Sequence, residues 1–101
     1  MSTAAYIATA LPNGTFRVVY SNFDNYPERT GRLLQTAYNS QAAVNALLDM
    51  GNISSLEASL EASKFYTRDY RRNNEDAVLL SRKALFTNDG GVDSAYVFET
   101  G

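Results

Sequence analysis

Two clusters of polar and aromatic residues carry the chemistry that this sequence offers. The first is KFYTRDYRR, residues 64–72, where Arg68, Arg71 and Arg72 alternate with tyrosines, of which Tyr70 is a surface candidate. Guanidinium groups bind phosphates and aromatic rings stack on bases, so this composition is typical of a site for a small anionic nucleotide. It is equally typical of a charged strand edge that resists aggregation. Both interpretations stay open from the residues alone.

The second cluster is the junction DNYPE, which follows a strand-like run. Asn25, followed three residues later by Glu28, forms a helix-capping pattern, and Pro27 suits a first helical turn. As a cap, Asn25 would contribute about 1 kcal/mol. The pattern does not need Asp24 or Tyr26, which we therefore interpret as candidate binding residues. The free N–H groups of the helix start would attract an anion, whereas the two acids would favour a divalent cation.

The chain contains no His and no Cys. Disulfides, thiolate or imidazole metal sites, Cys nucleophiles, His general bases and Ser-His-Asp triads are therefore excluded. No spacing of Asp or Glu singles out a catalytic carboxylate pair. We expect a protein that is not an enzyme and that has no cofactor and no metal site.

Length and composition predict one globular domain over residues 1–101. The chain is 45% hydrophobic and 20% charged, near the globular average. Its net charge of −2 lacks the basic excess that long nucleic acids require. No apolar run reaches the ~18 residues of a membrane span, and the first residues do not show the basic n-region and long apolar h-region of a signal peptide. We therefore expect a cytoplasmic protein that contacts neither membranes nor long nucleic acid.

The first half of the chain predicts a β-hairpin followed by helices. Residues 5–11 and 15–23 have strand patterns, and the Asn-Gly pair between them tolerates the positive φ of a tight turn. Helical spacing then relates Tyr26, Thr30, Leu33, Leu34, Ala37 and Tyr38. A second helix is predicted to begin after Ser40 and to end at Gly51. Ser54 and Glu57 would cap a third helix that runs to residue 63.

The second half is more ambiguous. Residues 64–72 fit either a helix end or a strand, and residues 76–86 fit either a helix or a buried strand. Residues 87–91 indicate a turn and residues 94–99 a terminal strand. The sequence thus predicts an α+β fold: an N-terminal antiparallel hairpin extended by one or two later strands, with central helices packed on one face. A small core with an exposed edge also favours a homo-oligomer.

A longer pattern runs through these segments: an aromatic strand, a Tyr-Pro junction, a helix with Gly and Leu-Leu, an Ile-Ser-Ser-Leu segment and an aromatic-Arg-Asp stretch. Its residues are Asp24, Tyr26, Pro27, Gly31, Leu33, Leu34, Tyr38, Asn39, Gly51, Ile53, Ser54, Ser55, Leu56, Arg68, Asp69, Tyr96 and Phe98. The sequence here resembles a family of small bacteriophage and prophage proteins. It departs from them at Asn25, usually Gly, and at Asn52, usually Asp. The resemblance implies a viral context and a strand over residues 64–70.

These observations lead to two functional hypotheses. The first is a non-enzymatic phage accessory protein, for host takeover or counter-defence, that binds and blocks a host bacterial protein in the host cytoplasm. The alternative is a sponge that sequesters a small anionic nucleotide signal. The candidate binding residues are Asp24, Tyr26, Arg68, Tyr70, Arg71 and Arg72.

Overall fold

The computed structural model describes residues 3–22, 25–87 and 92–99. Within them, the order of elements is β1 (Ala5–Ala10), β2 (Thr15–Ser21), a π-helical turn (Pro27–Gly31), α1 (Arg32–Ala37), α2 (Gln41–Asp49), β3 (Ile53–Ser55), β4 (Lys64–Phe65), α3 (Tyr66–Tyr70), β5 (Val78–Ser81), α4 (Arg82–Phe86) and β6 (Ser94–Phe98). Helices and strands alternate irregularly around one mixed sheet. The predicted α+β class is confirmed.

The N-terminal hairpin, with two strands joined by the turn that contains Asn-Gly, is confirmed. β1 and β2 pair antiparallel from Ala5 opposite Ser21 to Ala10 opposite Phe16. Gly14 has φ +85°, a backbone conformation that glycine adopts without steric cost. Its N–H donates to the carbonyl of Leu11 at 3.1 Å and closes the turn.

The hairpin forms the centre of a larger sheet. The strand order is β4-β3-β2-β1-β6. Strand β5 also pairs with β2: it contacts residues 15–18 of β2, whereas β3 contacts Ser21. Strand β6 lies parallel to β1, whereas β5 lies antiparallel to β2. Four further described strands thus extend the hairpin, where one or two were expected. The additional strands β3 and β4 have only three and two residues, which is too short for a recognisable alternation.

The sheet carries apolar residues on both faces. One face packs against α2, which Ser40 caps by accepting from the N–H of Ala43 at 3.1 Å. The core on this face consists of Ile7, Val19, Tyr38, Val44, Leu47, Leu48, Ile53, Leu56 and Phe65. The opposite face packs against α4, and its core consists of Ala8, Phe16, Val18 and Leu85. The predicted placement of the central helices on one face is confirmed.

The predicted third helix over residues 56–63 is wrong. Ser54 lies in β3, and the following residues form turns and bends. Leu56 and Ser63 are both fully buried, and the Ser63 hydroxyl accepts from the N–H of Glu57 at 2.8 Å. The side chain of Leu56 is held in the core, and the hydroxyl of Ser63 satisfies the backbone N–H of Glu57. These interactions take the place of the helical hydrogen bonds that were expected here.

The strand expected over residues 64–70 is correct only for Lys64 and Phe65. The remaining residues form α3, so the expectation is wrong for Tyr66–Tyr70. The Asp69 carboxylate accepts from the N–H of Phe65 at 2.8 Å and closes this helical turn from within. The turn ends at Arg71, whose φ is +55°. Local side-chain bonding overrides the strand propensity of the aromatic residues.

The ambiguous segment 76–86 contains both alternatives in succession. It begins as β5 and continues as α4, and Ser81 caps the helix by accepting from the N–H of Ala84 at 3.1 Å. The terminal strand is confirmed as β6. Of the turn predicted over residues 87–91, residues 88–91 lie outside the described residues.

Candidate functional site

Asn25 organises the junction between β2 and the helical region, but it does not cap a helix. The π-helical turn begins after Tyr26, and no side chain caps it. Asn25 is instead 2% exposed. Its amide nitrogen donates to the carbonyls of Thr3 and Ser21, both at 2.9 Å. Its amide oxygen accepts from the hydroxyls of Ser21 at 2.9 Å and Thr30 at 3.0 Å. The predicted cap is wrong because the side chain turns inward.

The backbone of Asn25 also holds the last strand. The Tyr96 hydroxyl donates to the Asn25 carbonyl at 2.9 Å, and this bond joins β6 to the junction across 71 residues. Strand β6 is further fixed at its start, where the N–H of Asp93 donates to the carbonyl of Ala4 at 2.8 Å. The junction therefore positions β6 opposite the π-helical turn and α1, which follow the junction in the chain.

A cleft of about 560 Å³ lies between that helical segment and β6. Its walls come from the π-helical turn, α1, the loop before α2, α2 itself, β1 and β6. The lining residues are Ile7, Ala8, Pro27, Gly31, Leu34, Gln35, Tyr38, Asn39, Val44, Ala95, Tyr96, Val97, Phe98 and Glu99. The volume lies within the ~300–1,000 Å³ range of small-molecule and cofactor sites.

The interior of the cleft is apolar and its rim is polar. Leu34, Tyr96 and Phe98 contribute apolar surface, whereas the exposed side chains of Gln35 and Glu99 stand at the rim. Burial raises the pKa of Tyr96, and its hydroxyl is already bonded. Burial likewise raises the pKa of Tyr38, whose hydroxyl donates to the carbonyl of Glu57 at 2.7 Å. Both phenols stay neutral, so this wall is suited to binding and offers no activated nucleophile.

One wall of the cleft is the outer edge of the sheet. Among the described residues, β6 pairs only with β1, so its other edge has no strand partner. An unpaired edge presents backbone N–H and C=O groups that another extended segment could pair with. The site therefore combines main-chain hydrogen-bonding groups with an adjacent apolar groove.

Gly31 sets the width of the cleft at its helical wall. The residue has helical dihedral angles, and a Cβ built on it would lie 3.6 Å from Cε1 of Tyr96. That distance is an ordinary van der Waals contact. We predict that Gly31→Ala will stabilise the fold by roughly 0.5–1 kcal/mol, because alanine is the better helix former. Urea unfolding will measure the change, and a loss of stability would show that the ring of Tyr96 requires the bare backbone.

The predicted arginine cluster forms internal contacts. The Arg68 guanidinium donates to the carbonyls of Leu60 at 2.9 Å and Ser63 at 2.6 Å. It also pairs with Asp69 at 3.0 Å and lies 5.1 Å from the ring centre of Phe65. The Arg68 guanidinium and the Phe65 N–H together hold the pKa of the Asp69 carboxyl below its usual range. Arg68, which lies in α3, therefore links this helix to the loop before β4 through its hydrogen bonds to two carbonyls of that loop.

The other members of this cluster lie on an exposed surface. The Arg72 guanidinium lies 4.5 Å from the ring centre of Tyr66 and pairs with Glu75 at 3.3 Å. Arg71 and Tyr70 are exposed, and the ring of Tyr70 packs 5.8 Å from that of Tyr66. Arg68 and Arg72 contact different partners and each already pairs with an acidic side chain, Asp69 and Glu75 respectively.

The remaining predicted site residues lie at the junction. Tyr26 is 42% exposed, in agreement with its interpretation as a surface residue. Asp24 lies outside the described residues. None of the predicted site residues that the structure describes lines the cleft. The sequence indicates Gly31 and the terminal strand separately, but it contains no local signal that β6 pairs with β1.

Comparison of the chain with protein-family models, with curated proteins and with solved structures found no match. Within residues 3–22, 25–87 and 92–99, no three or more Asp or Glu side chains converge as metal ligands would. Over the same residues, no helix has the length and hydrophobicity needed to cross a membrane. The features that define the site are therefore the cleft and the free edge of β6.

Proposed function

We propose that this protein is a non-enzymatic binding protein that captures an extended segment of another protein along β6. The observation that supports the proposal is the apolar cleft beside the unpaired edge of that strand. Strand addition supplies affinity through main-chain hydrogen bonds, and alternate side chains supply specificity by entering an adjacent pocket. Both parts of this recognition mode are present in the described residues.

The chemistry of the cleft favours a segment with apolar side chains. Leu34, Tyr96 and Phe98 offer apolar contact area, and burying such area is the main source of favourable free energy in association. At the rim, Gln35 and Asn39 offer amide groups that suit hydrogen bonding to a peptide. We infer a partner segment with apolar residues at alternate positions, because those side chains point to one face of a strand.

The resemblance to bacteriophage proteins supports a bacterial host protein as the partner and blocking of that protein as the outcome, in the host cytoplasm.

The alternative function, a sponge for a small anionic nucleotide, has less support at the predicted arginine cluster. Arg68 is occupied by two carbonyls and a carboxylate, and Arg72 by Glu75. A phosphate there would have to displace these internal acceptors.

The proposed function is tested by substitutions that block the cleft without affecting the core. Gln35 and Thr36 are adjacent, exposed residues of α1, but only Gln35 lines the cleft. Immobilised wild-type protein, Gln35→Arg and the matched control Thr36→Arg are incubated with a displayed library of random linear peptides and with bacterial lysate. We expect enrichment of one peptide class by the wild type and by Thr36→Arg, and at least a tenfold weaker affinity for Gln35→Arg, about 1.4 kcal/mol.

Protection of backbone amides locates the bound peptide independently. Hydrogen exchange of the complex should slow for amides of β6 and not for those of β4. Equal peptide affinity of Gln35→Arg and wild type, or protection confined to other strands, would contradict the proposal. Binding of nucleotides to a surface that needs Arg71 and Arg72 would favour the sponge instead.

A further inference from the structure

Strand β5 exposes a second unpaired edge with an unusual composition. Among the described residues, β5 pairs only with β2. Val78 is 54% exposed and Leu79 is 64% exposed. Edge strands are normally protected by a proline, an inward-pointing charge or a bulge, and the sequence Val-Leu-Leu-Ser contains no proline and no charge. Such an edge is a template for pairing with another strand.

The charges that flank β5 are complementary to each other. Asp76 precedes the strand, and Arg82 and Lys83 follow it. Among the described residues, neither Asp76 nor Lys83 belongs to an ion pair. An antiparallel partner with the same sequence would bring its basic end beside the acidic end of β5, and its acidic end beside the basic end.

We propose that β5 pairs antiparallel with β5 of a second copy of this chain. With Leu79 opposite Leu79 or Leu80 of the second copy, the two β5 strands pair along Val78–Ser81. Asp76 of one copy then lies at the same end of the interface as the start of α4, with Arg82 and Lys83, of the other copy. Both registers place apolar side chains at the centre and opposite charges at both ends. A two-fold interface requires one patch that complements itself, and this patch does so.

The pairing leaves the proposed peptide site accessible. Strands β5 and β6 lie on opposite sides of the β2–β1 pair, so joining two β5 edges extends the sheet away from the cleft. The dimer would present two clefts at the far ends of a continuous sheet. Dimerisation and peptide binding can therefore be tested separately, and either one can fail without the other.

The apolar centre of the proposed β5–β5 interface is tested by measuring the mass of the full chain with light scattering at micromolar concentration. We expect the wild type to have twice the chain mass of 11.1 kDa. Leu79→Arg should weaken association at least tenfold, because it places two like charges at the centre of the interface. Ala46→Arg is the matched control: Ala46 is an exposed apolar residue in α2, and its substitution should leave the dimer intact. Circular dichroism verifies that each variant remains folded.

The charge pattern is tested by mixing two variants, each of which should dimerise more weakly than the wild type when it is alone. Asp76→Lys faces the natural Arg82 and Lys83, whereas the double variant Arg82→Glu, Lys83→Glu faces the natural Asp76. Each should weaken its own dimer about tenfold through two repulsive pairs. An equimolar mixture should restore dimers, because both ends then pair opposite charges. A wild-type mass of 11.1 kDa, a dimer that Leu79→Arg leaves intact, or no recovery in the mixture would overturn the proposal.

Discussion

Asn25→Asp should destabilise the fold by about 3–5 kcal/mol at pH 7, the cost of a buried charge without a partner. The substitution preserves size and shape, but it replaces an NH₂ that donates to the carbonyls of Thr3 and Ser21 with an oxygen. The new carboxylate oxygen would then face the carbonyl oxygens of Thr3 and Ser21, at a residue that is 2% exposed. Asn25→Ala should cost about 3 kcal/mol, because it removes four hydrogen bonds and leaves buried groups unsatisfied.

Chemical denaturation at several pH values checks this prediction. Burial raises the pKa of the new carboxyl in the folded state, so the neutral form is favoured there. The deficit of Asn25→Asp should therefore be largest at neutral pH and should shrink as pH falls below that raised pKa. Asn45→Asp is the matched control, since Asn45 is exposed on α2 and only accepts from Gln41. A loss of about 1 kcal/mol or less for Asn25→Ala would contradict the prediction, because it would show that the four buried hydrogen bonds of this side chain contribute little to stability.

Gly51→Ala should cost roughly 3 kcal/mol or more, since two separate penalties add at this residue. Gly51 has φ +82°, which disfavours any residue with a Cβ. The added Cβ would also lie 2.5 Å from the carbonyl oxygen of Glu75. That carbonyl cannot retreat freely, because it accepts from the N–H of Asn52 at 2.7 Å. The segment before β5 must move for the alanine to fit.

Gly14→Ala separates the two penalties. Gly14 has φ +85°, but a Cβ there would meet no atom within 4 Å. This variant should lose only about 1–2 kcal/mol, the cost of the left-handed conformation. The difference between the two variants in urea unfolding then measures the clash with Glu75. Equal losses would show that the backbone at Glu75 adapts without cost.

The parts of the fold that sequence predicted are those with strong local signals. Asn-Gly placed the first hairpin, Ser40 and Gly51 bounded α2, and the alternation of the last aromatic residues indicated β6. The rest depends on pairing between distant segments. Strands of two or three residues carry no periodicity, and β6 pairs with a strand 89 residues earlier, as Ala5 opposite Ser94 shows. Local propensity contains no information on such partners.

The candidate site was less predictable for the same reason. Sequence reasoning identified arginines and tyrosines as surface residues, and the structure places Tyr26, Tyr70 and Arg71 there. It could not show that Arg68 would be occupied by backbone carbonyls, because carbonyl acceptors belong to every residue type. The cleft was missed altogether, since its two walls belong to elements that no sequence pattern connects.

Because β6 pairs in parallel with β1, the cleft can form only after β6 has been synthesised. On a ribosome, the helical wall is synthesised long before residues 94–98, so a nascent chain has one wall and a β1 strand that is paired with β2 but has no partner on its other edge. Closing such a long loop is also slow, as contacts of high sequence separation generally are. Recognition along β6 would therefore begin only after translation of that strand, and a partner segment would distinguish molecules in which β6 has joined the sheet from those in which it has not.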